Sequence, residues 1–282
     1  MAVLAEDRPA VWRTRQRPLL GTFVEIGAGA GEGSDVDLDA AVTDAFEAVR
    51  AVHGLLSFHD PNSDLSRLNG ARGAETELHP ISLRVLRLSR AMTLASCGLF
   101  NCTVGGALVR RGILPDHGDG PMLDAGEAED IEISASGARL RRPVRVTLDG
   151  IAKGFAVDMA VRRLKRCGVQ EGFVNAGGDL RAFGVLVLPV ARRELDGCLT
   201  SLGGLSGAAL ATSRAGSKPD ERFPAWITAA GRAPSQPGVH SVMARAAWRA
   251  DALTKVAALA VEAERAATVE RLGGRLVEAA AS

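Results

Sequence analysis

The chain has 282 residues, 46% of them hydrophobic, and its 34 Lys and Arg nearly balance 33 Asp and Glu, for a formal net charge of +1. That balance argues against a bulk nucleic-acid binder, which shows a strong basic excess or patch. Aromatic residues at 4%, with no Tyr, argue against a base-stacking platform. The length is long for one domain and short for two, and the apolar fraction suffices for a large core.

Met1 to Arg17 carries charges throughout and no continuous apolar stretch, so it reads as an N-terminal extension and not as a signal peptide. No apolar run reaches the roughly 20 residues that span a bilayer, and a cytoplasmic location is expected. Leu19 to Ile26 reads as a strand and Gly27 to Asp39 as a Gly/Asp-rich loop. Ala41, Ala45, Phe46, Val49 and Val52 then recur at helical spacing. Asp60-Pro-Asn-Ser-Asp64 is turn chemistry, because Asp and Asn bond their own backbone and Pro presets φ. Leu83, Leu86 and Met92 mark a helix over 82–95, stopped by Gly98. A Pro/Gly/Asp-rich loop follows from Ile113 to Gly126. Ile131 and Ile133, Leu140, and Val144 to Leu148 read as paired strands.

A helix over 156–167, a strand at Phe173–Asn175 and another from Arg181 to Leu188 come next. Segment 189–210 reads as irregular. Ala211-Thr-Ser213 ends a strand, Val239 to Ala246 forms one, and Asp251 opens a helix that runs to about Ala267. Hairpins mixed with separate helices, without repeats or a linker that forces a split, predict an α+β fold. It is expected to be one domain of mixed, largely antiparallel sheets with packed helices. The cysteines at 97, 102, 167 and 198 form no CxxC pair and have no zinc spacing, which predicts small buried hydrophobes in a reducing compartment.

The chemistry concentrates in the run Thr147-Leu-Asp-Gly-Ile-Ala-Lys-Gly-Phe-Ala-Val-Asp158. A glycine-rich strand-to-helix turn leaves N–H groups free at a helix N-terminus, where an anion is welcome. Lys153 adds a mobile positive charge with three donors. The run reads as a phosphate or pyrophosphate site, with an unliganded βα turn as the alternative. Three further polar clusters stand where strands end or helices begin: Asn175 to Asp179, Thr212-Ser213, and Asp251 to Lys255. Asp251 also reads as a simple N-cap. Asp251 and Thr254 share a helix face, and Mg²⁺ takes carboxylate, hydroxyl and carbonyl oxygens with phosphates completing its shell. Together these clusters suggest a magnesium-assisted pyrophosphate site.

Seven segments resemble, in order, the motifs of the ApbE family of flavin transferases. They are Leu20-Gly-Thr22, Asp60-Pro-Asn-Ser-Asp-Leu-Ser-Arg-Leu-Asn69, Phe100-Asn-Cys-Thr-Val-Gly105, Leu148 to Asp158, Val174-Asn-Ala-Gly-Gly-Asp-Leu-Arg181, Ala211-Thr-Ser213 and Ala250-Asp-Ala-Leu-Thr254. The resemblance implies one domain over 18–270, with 271–282 as a C-terminal tail. It also implies Mg²⁺-dependent cleavage of FAD, transfer of FMN onto a Thr or Ser hydroxyl of a target flavoprotein, and release of AMP. Some relatives instead hydrolyse FAD to FMN and AMP, and a non-catalytic FAD-binding relative is the remaining reading. On this resemblance Thr147 and Lys153 lie at the FAD site, and Gly150, Asp251 and Thr254 hold the metal. Leu20, Asn175, Gly177, Gly178, Asp179, Thr212 and Ser213 line the flavin pocket.

The chain departs from the family pattern at three places. Most members carry Asp where Thr147 stands. The metal-binding Thr usually falls four residues after the Asp, where this chain has Lys255. The family's His-Ile-Ile-Asp-Pro-Arg-Thr-Gly-like run, whose His resembles a general base, is replaced by Ala225-Trp-Ile-Thr-Ala-Ala-Gly231, with Trp226 at the imidazole position. His240 is the remaining candidate base, read first as an ordinary strand histidine. His53, His59, His79 and His117 are read as solvated or structural.

Overall fold

The computed structural model describes residues 11–118, 120–216, 226–234 and 237–278. It opens with a hairpin of β1 (Val11–Leu19) and β2 (Thr22–Ala30). Leu20 and Gly21 join the strands with φ of 57° and 69°, the paired positive values of a two-residue turn that matches strand twist. There follow α1 (Leu38–Leu56), α2 (Asp64–Gly70), β3 (Thr76–Glu77), α3 (Pro80–Ala95), α4 (Gly105–Arg110), β4 (Ile131–Ile133), β5 (Gly137–Leu140) and α5 (Ala152–Arg166). The second half comprises β6 (Glu171–Ala176), β7 (Asp179–Phe183), β8 (Leu188–Arg193), β9 (Leu199–Leu205), β10 (Ala209–Ala215), β11 (Gly238–Ala244), α6 (Ala247–Leu259), α7 (Arg265–Arg271) and β12 (Gly274–Leu276).

Seven strands form the main sheet in the order β1-β2-β6-β7-β10-β11-β12, with every neighbour antiparallel. Smaller sheets pair β3-β5-β4 and β8-β9. Side chains alternate across a strand, and here both faces are covered. Val24, Ile26, Val174 and Ala176 meet Phe46 and Val49 of α1, Val157 and Val161 of α5, and Leu253 and Val256 of α6. On the opposite face Phe173, Leu180, Ala182 and Leu210 pack beneath Leu188, Val190 and Leu205 of the β8–β9 hairpin. The α+β class with largely antiparallel sheets is therefore as expected.

Several boundaries move, each for a tertiary reason. β2 runs on through Gly27 to Ala30, because Gly27 pairs with Phe173 in the ladder. A Cβ at Gly27 would stand 2.3 Å from the Phe173 ring, which stacks on Trp12. The sheet takes strands from both segments read as extension and tail, since β1 starts at Val11 and β12 ends at Leu276. Residues 189–210, read as irregular, contain most of β8 and all of β9, whose pairing slips at Val190/Ala191. β10 continues past Ser213 to Ala215. Segment 144–148 joins no sheet and makes only an isolated bridge, Val104 to Arg145. Of the four cysteines only Cys102 is buried, while Cys97, Cys167 and Cys198 are exposed. Among the described residues no helix is long and apolar enough to cross a membrane.

Candidate active site

The Asp60–Asn69 motif builds a support. Asp60 accepts from the Asn62 N–H at 2.9 Å, and Ser63 caps α2 by accepting from the Ser66 N–H at 3.0 Å. Burial pushes the Asp64 carboxyl up, but hydrogen bonds from Arg67, Ser82 and the His79 N–H outweigh that and hold it below its ordinary value. At the end of α2, Asn69 grips the backbone of Val146. Its Nδ2 donates to the carbonyl at 2.8 Å and its Oδ1 accepts from the N–H at 2.7 Å. The Thr147 N–H donates to the Cys102 carbonyl at 2.8 Å. A side-chain amide and one loop thus replace strand pairing and deliver Thr147, Asp149 and Gly150 to the start of α5.

The N-cap position of α5 is Ile151, which offers no side-chain acceptor. The acceptor comes from α6, where Asp251 Oδ2 takes the Gly154 N–H at 3.1 Å. In return Asp158 of α5 accepts the Ala247 and Trp248 N–H groups of α6, each at 3.0 Å. The two helices touch at Gly154, where a Cβ would lie 2.3 Å from the Ala247 carbonyl oxygen. Asp251 therefore does not cap its own helix, as one sequence reading had it. α6 begins at Ala247, so Asp251 is interior to it and fully buried. The phosphate turn is also more occupied than its glycines suggest. The Ile151 and Ala152 N–H groups bond the Leu148 carbonyl, at 2.9 and 2.8 Å, and that of Gly154 goes to Asp251.

Around these helix starts lie two ion pairs. Lys153 Nζ stands 3.2 Å from Asp179 Oδ2. Both Asp179 carboxylate oxygens are buried and, among the described residues, have no well-aligned donor. Burial, reinforced by the charge of Asp251, pushes the Asp179 carboxyl up, against the pull of Lys153 and Lys255. The charge of Asp179 holds the Lys153 ammonium well above its ordinary value despite its own burial. In the second pair Lys255 Nζ meets Asp251 Oδ1 and donates to Ser213 Oγ at 3.2 Å. Ser213 Oγ also shares a hydrogen bond with Thr254 Oγ1 at 2.7 Å, and Thr254 Oγ1 donates to the Asp251 carbonyl at 2.7 Å.

The fold thus unites Lys153, Asp179, Ser213, Asp251 and Thr254 on the helix-covered face. The other expected residues are placed differently. Leu20, Gly177 and Gly178 form tight turns of neighbouring hairpins, and a Cβ on Gly177 would come 2.6 Å from Thr22 Oγ1. Asn175 accepts the Gly178 N–H at 3.0 Å and shapes that turn. Thr212 points away from Ser213, as strand alternation requires, and bonds Ser241 Oγ at 2.9 Å. Thr147 is buried, its hydroxyl 3.5 Å from the Asp149 N–H. His240 stands opposite Ser213 in the β10–β11 ladder and helps line a cavity of about 340 Å³ with Arg192, Glu262 and Arg265. Burial, then Arg265 and Arg192, push its imidazole down to about 4. Trp226 carries Arg111 over its ring at 5.0 Å, and its buried indole N–H has no acceptor among the described residues.

Lys255 was not singled out from sequence as a site residue, although its spacing, one helical turn after Asp251, made it visible.

The expected metal ligands Gly150, Asp251 and Thr254 do not fit a divalent cation. Mg²⁺ demands open oxygens in near-octahedral array. Here one Asp251 oxygen faces the Lys255 ammonium, the other takes the Gly154 N–H, and Thr254 is bonded to Ser213 and the Asp251 carbonyl. The Lys255 stem also lies against Gly150, where a Cβ would be 3.5 Å from its Cε. Among the described residues no group of three or more His, Cys, Asp or Glu side chains is placed to hold a metal ion.

The ApbE family model matches residues 20–277. A Rhodobacter capsulatus protein named FAD:protein FMN transferase is 29% identical over 137 residues, which cover 43% of this chain and 26% of that protein. The match thus spans about a quarter of that relative's length. The apo crystal structure of the flavinyl transferase ApbE from Pseudomonas stutzeri superposes with a TM-score of 0.74 at 20% identity, covering 93% of this chain and 88% of that one. The ApbE protein of Thermotoga maritima gives 0.77 at 19% identity, covering 94% and 93%. At such identities these two likenesses speak for the fold.

Proposed function

The chain belongs to the ApbE family, and on that premise we propose that it transfers FMN from FAD onto a Thr or Ser hydroxyl of a target flavoprotein, releasing AMP. The observation that carries this reading is the convergence of four separate sequence motifs on one charged cluster, with Lys153 and Asp179 near Lys255, Asp251, Ser213 and Thr254. Two ammonium groups held partly out of water suit a pyrophosphate. Among the described residues the buried oxygens of Asp179 have no well-aligned donor, a deficit that a ligand donor would meet.

The acceptor oxygen attacks the phosphorus on the FMN side, the bond to the bridging oxygen breaks, AMP carries that oxygen away, and the hydroxyl proton is released. Such a displacement needs positioning and charge neutralisation more than covalent help. Lys153 neutralises charge on the pyrophosphate oxygens, and the turns at Leu20-Gly21 and Gly177-Gly178 border the flavin. Because the expected metal ligands are already engaged, no step is assigned to Mg²⁺.

Trp226 at the family's imidazole position favours a second reading, in which the protein binds FAD and transfers nothing. One assay separates the two. Purified protein is incubated with FAD and a candidate acceptor, with and without Mg²⁺, and the acceptor is followed by in-gel flavin fluorescence while AMP and FMN are measured by chromatography. Covalent flavin with matching AMP supports transfer, and FMN with AMP but unlabelled acceptor supports hydrolysis. FAD binding without any product leaves the binding module.

A further inference from the structure

The Lys255 ammonium occupies the place prepared for a cation. It meets the Asp251 carboxylate and donates to the Ser213 hydroxyl, and a Cβ built on Gly150 would lie 3.5 Å from its Cε. Two of these, Asp251 and Gly150, are residues that the resemblance assigns to a metal. The pair is buried, with the Asp251 side chain 0% and the Lys255 side chain 18% exposed. A charge is rarely buried this deeply without a counter-ion, so each group depends on the other.

Among the described residues both Asp251 oxygens are already engaged, one by Lys255 and one by the Gly154 N–H. A divalent ion at Asp251 Oδ1 would have to displace the ammonium or stand against its charge. Thr254, the expected hydroxyl ligand, is turned into the protein by its bonds to Ser213 and the Asp251 carbonyl. Lys255 itself already sets one positive charge against the Asp251 carboxylate.

We infer that Lys255 serves as a built-in cation and that this site binds its pyrophosphate ligand without a divalent metal. The inference rests on the FAD reading only in naming that ligand, because metal binding is measured without flavin. Lys255 keeps a third N–H beyond those facing Asp251 and Ser213, directed by an anchored ammonium.

The test titrates the full-length wild-type protein with Mn²⁺, followed by electron paramagnetic resonance, and titrates FAD by fluorescence in EDTA and in Mg²⁺. The expected result is no stoichiometric Mn²⁺ site at millimolar metal and FAD affinities equal within about twofold in the two buffers. Lys255→Thr is expected to gain a Mn²⁺ site, and with it FAD binding that Mg²⁺ tightens by about tenfold or more. A stoichiometric Mn²⁺ site in the wild type overturns the inference. So does wild-type FAD affinity that falls about tenfold in EDTA, or a folded Lys255→Thr that still binds no Mn²⁺. If Lys255→Thr does not fold, the wild-type Mn²⁺ titration decides alone. If FAD binds in neither buffer, the flavin reading fails while the Mn²⁺ result still stands.

Discussion

Asp251 and Asp158 cap each other's helices: Asp251 on α6 accepts from the first turn of α5, and Asp158 on α5 accepts twice from the first turn of α6. Neither helix start carries a side-chain cap of its own, at Ile151 or at Ala246. The exchange locks two helix N-termini together beside Lys153, so any ligand held by Lys153 rests on a joint that both helices share.

The first prediction separates capping from charge. Asp158→Ala removes two cap bonds and the partner of Arg181, and should cost about 1–3 kcal/mol in urea unfolding. Asp251→Asn keeps an acceptor for the Gly154 N–H but strands the Lys255 ammonium. Its cost should be larger, near the about 3–5 kcal/mol for breaking a buried pair. Restoring neutrality with Asp251→Asn plus Lys255→Met should recover part of that loss. A double variant no more stable than Asp251→Asn alone would refute the pairing.

A second prediction concerns Lys153. Lys153→Ala should weaken FAD binding by about 1–3 kcal/mol, the scale of a charge-assisted hydrogen bond, read by fluorescence titration. It also leaves Asp179 buried without its counter-ion, so circular dichroism must accompany the titration. Asp179→Asn provides the contrast, because it keeps the ammonium while removing the orphan charge. Equal FAD affinity in wild type and a folded Lys153→Ala would remove Lys153 from the ligand site.

The third is a pH dependence set away from the pocket. A bidentate hydrogen bond from Arg142, helped by the Glu127 N–H against the effect of burial, holds the Asp130 carboxyl below its ordinary value. The folded state therefore favours the ionised form. That stability is complete above the unfolded value of about 3.9 and fades as pH falls through the lower folded value. Arg142 is half exposed, so solvent screening limits the contribution to about 1–2 kcal/mol. Asp130→Asn should be less stable than wild type at neutral pH, with the gap closing on acidification to about pH 2. A gap that persists unchanged in acid would exclude this ion pair as its source.

Much of this architecture is legible in the sequence, because short-range signals suffice for it. The 3.6-residue period of α1 and α5 and the turn chemistry of Asp60 to Asp64 both act locally. The partnerships across the fold are not legible. Asp251 reads as a cap of its own helix until α5 is seen to lie against it, and nothing local pairs Asn69 with Val146. Gly27 looks like a loop residue because its reason, the stacked Trp12 and Phe173 rings, comes from other strands. The β8–β9 hairpin was hidden by Gly203 and Gly204 and by the register slip at Val190/Ala191. In the pocket, residue types were readable but occupancy was not, since Lys255 filling the cation's place needs Ser213 and Gly150 brought to it from two other segments.

The last prediction concerns the proton that leaves the acceptor hydroxyl. His240 faces Ser213 across the ladder, but burial and two arginines push its imidazole down to about 4. It is neutral at physiological pH and free to accept a proton, yet a group titrating so low is a weak base, and general bases work best near the operating pH. His240→Ala should therefore leave the transfer rate within severalfold of wild type. Trp226→His should raise it, toward the about 10²–10⁴-fold that a placed base contributes, if the indole stands where the family's imidazole does. The pH profile gives an independent reading. A rate limb near pH 4, together with a collapse of about 100-fold in His240→Ala, would assign the base to His240 after all. A flat profile through that range, with His240→Ala unimpaired, leaves the proton to solvent and makes slow transfer an intrinsic property of this chain.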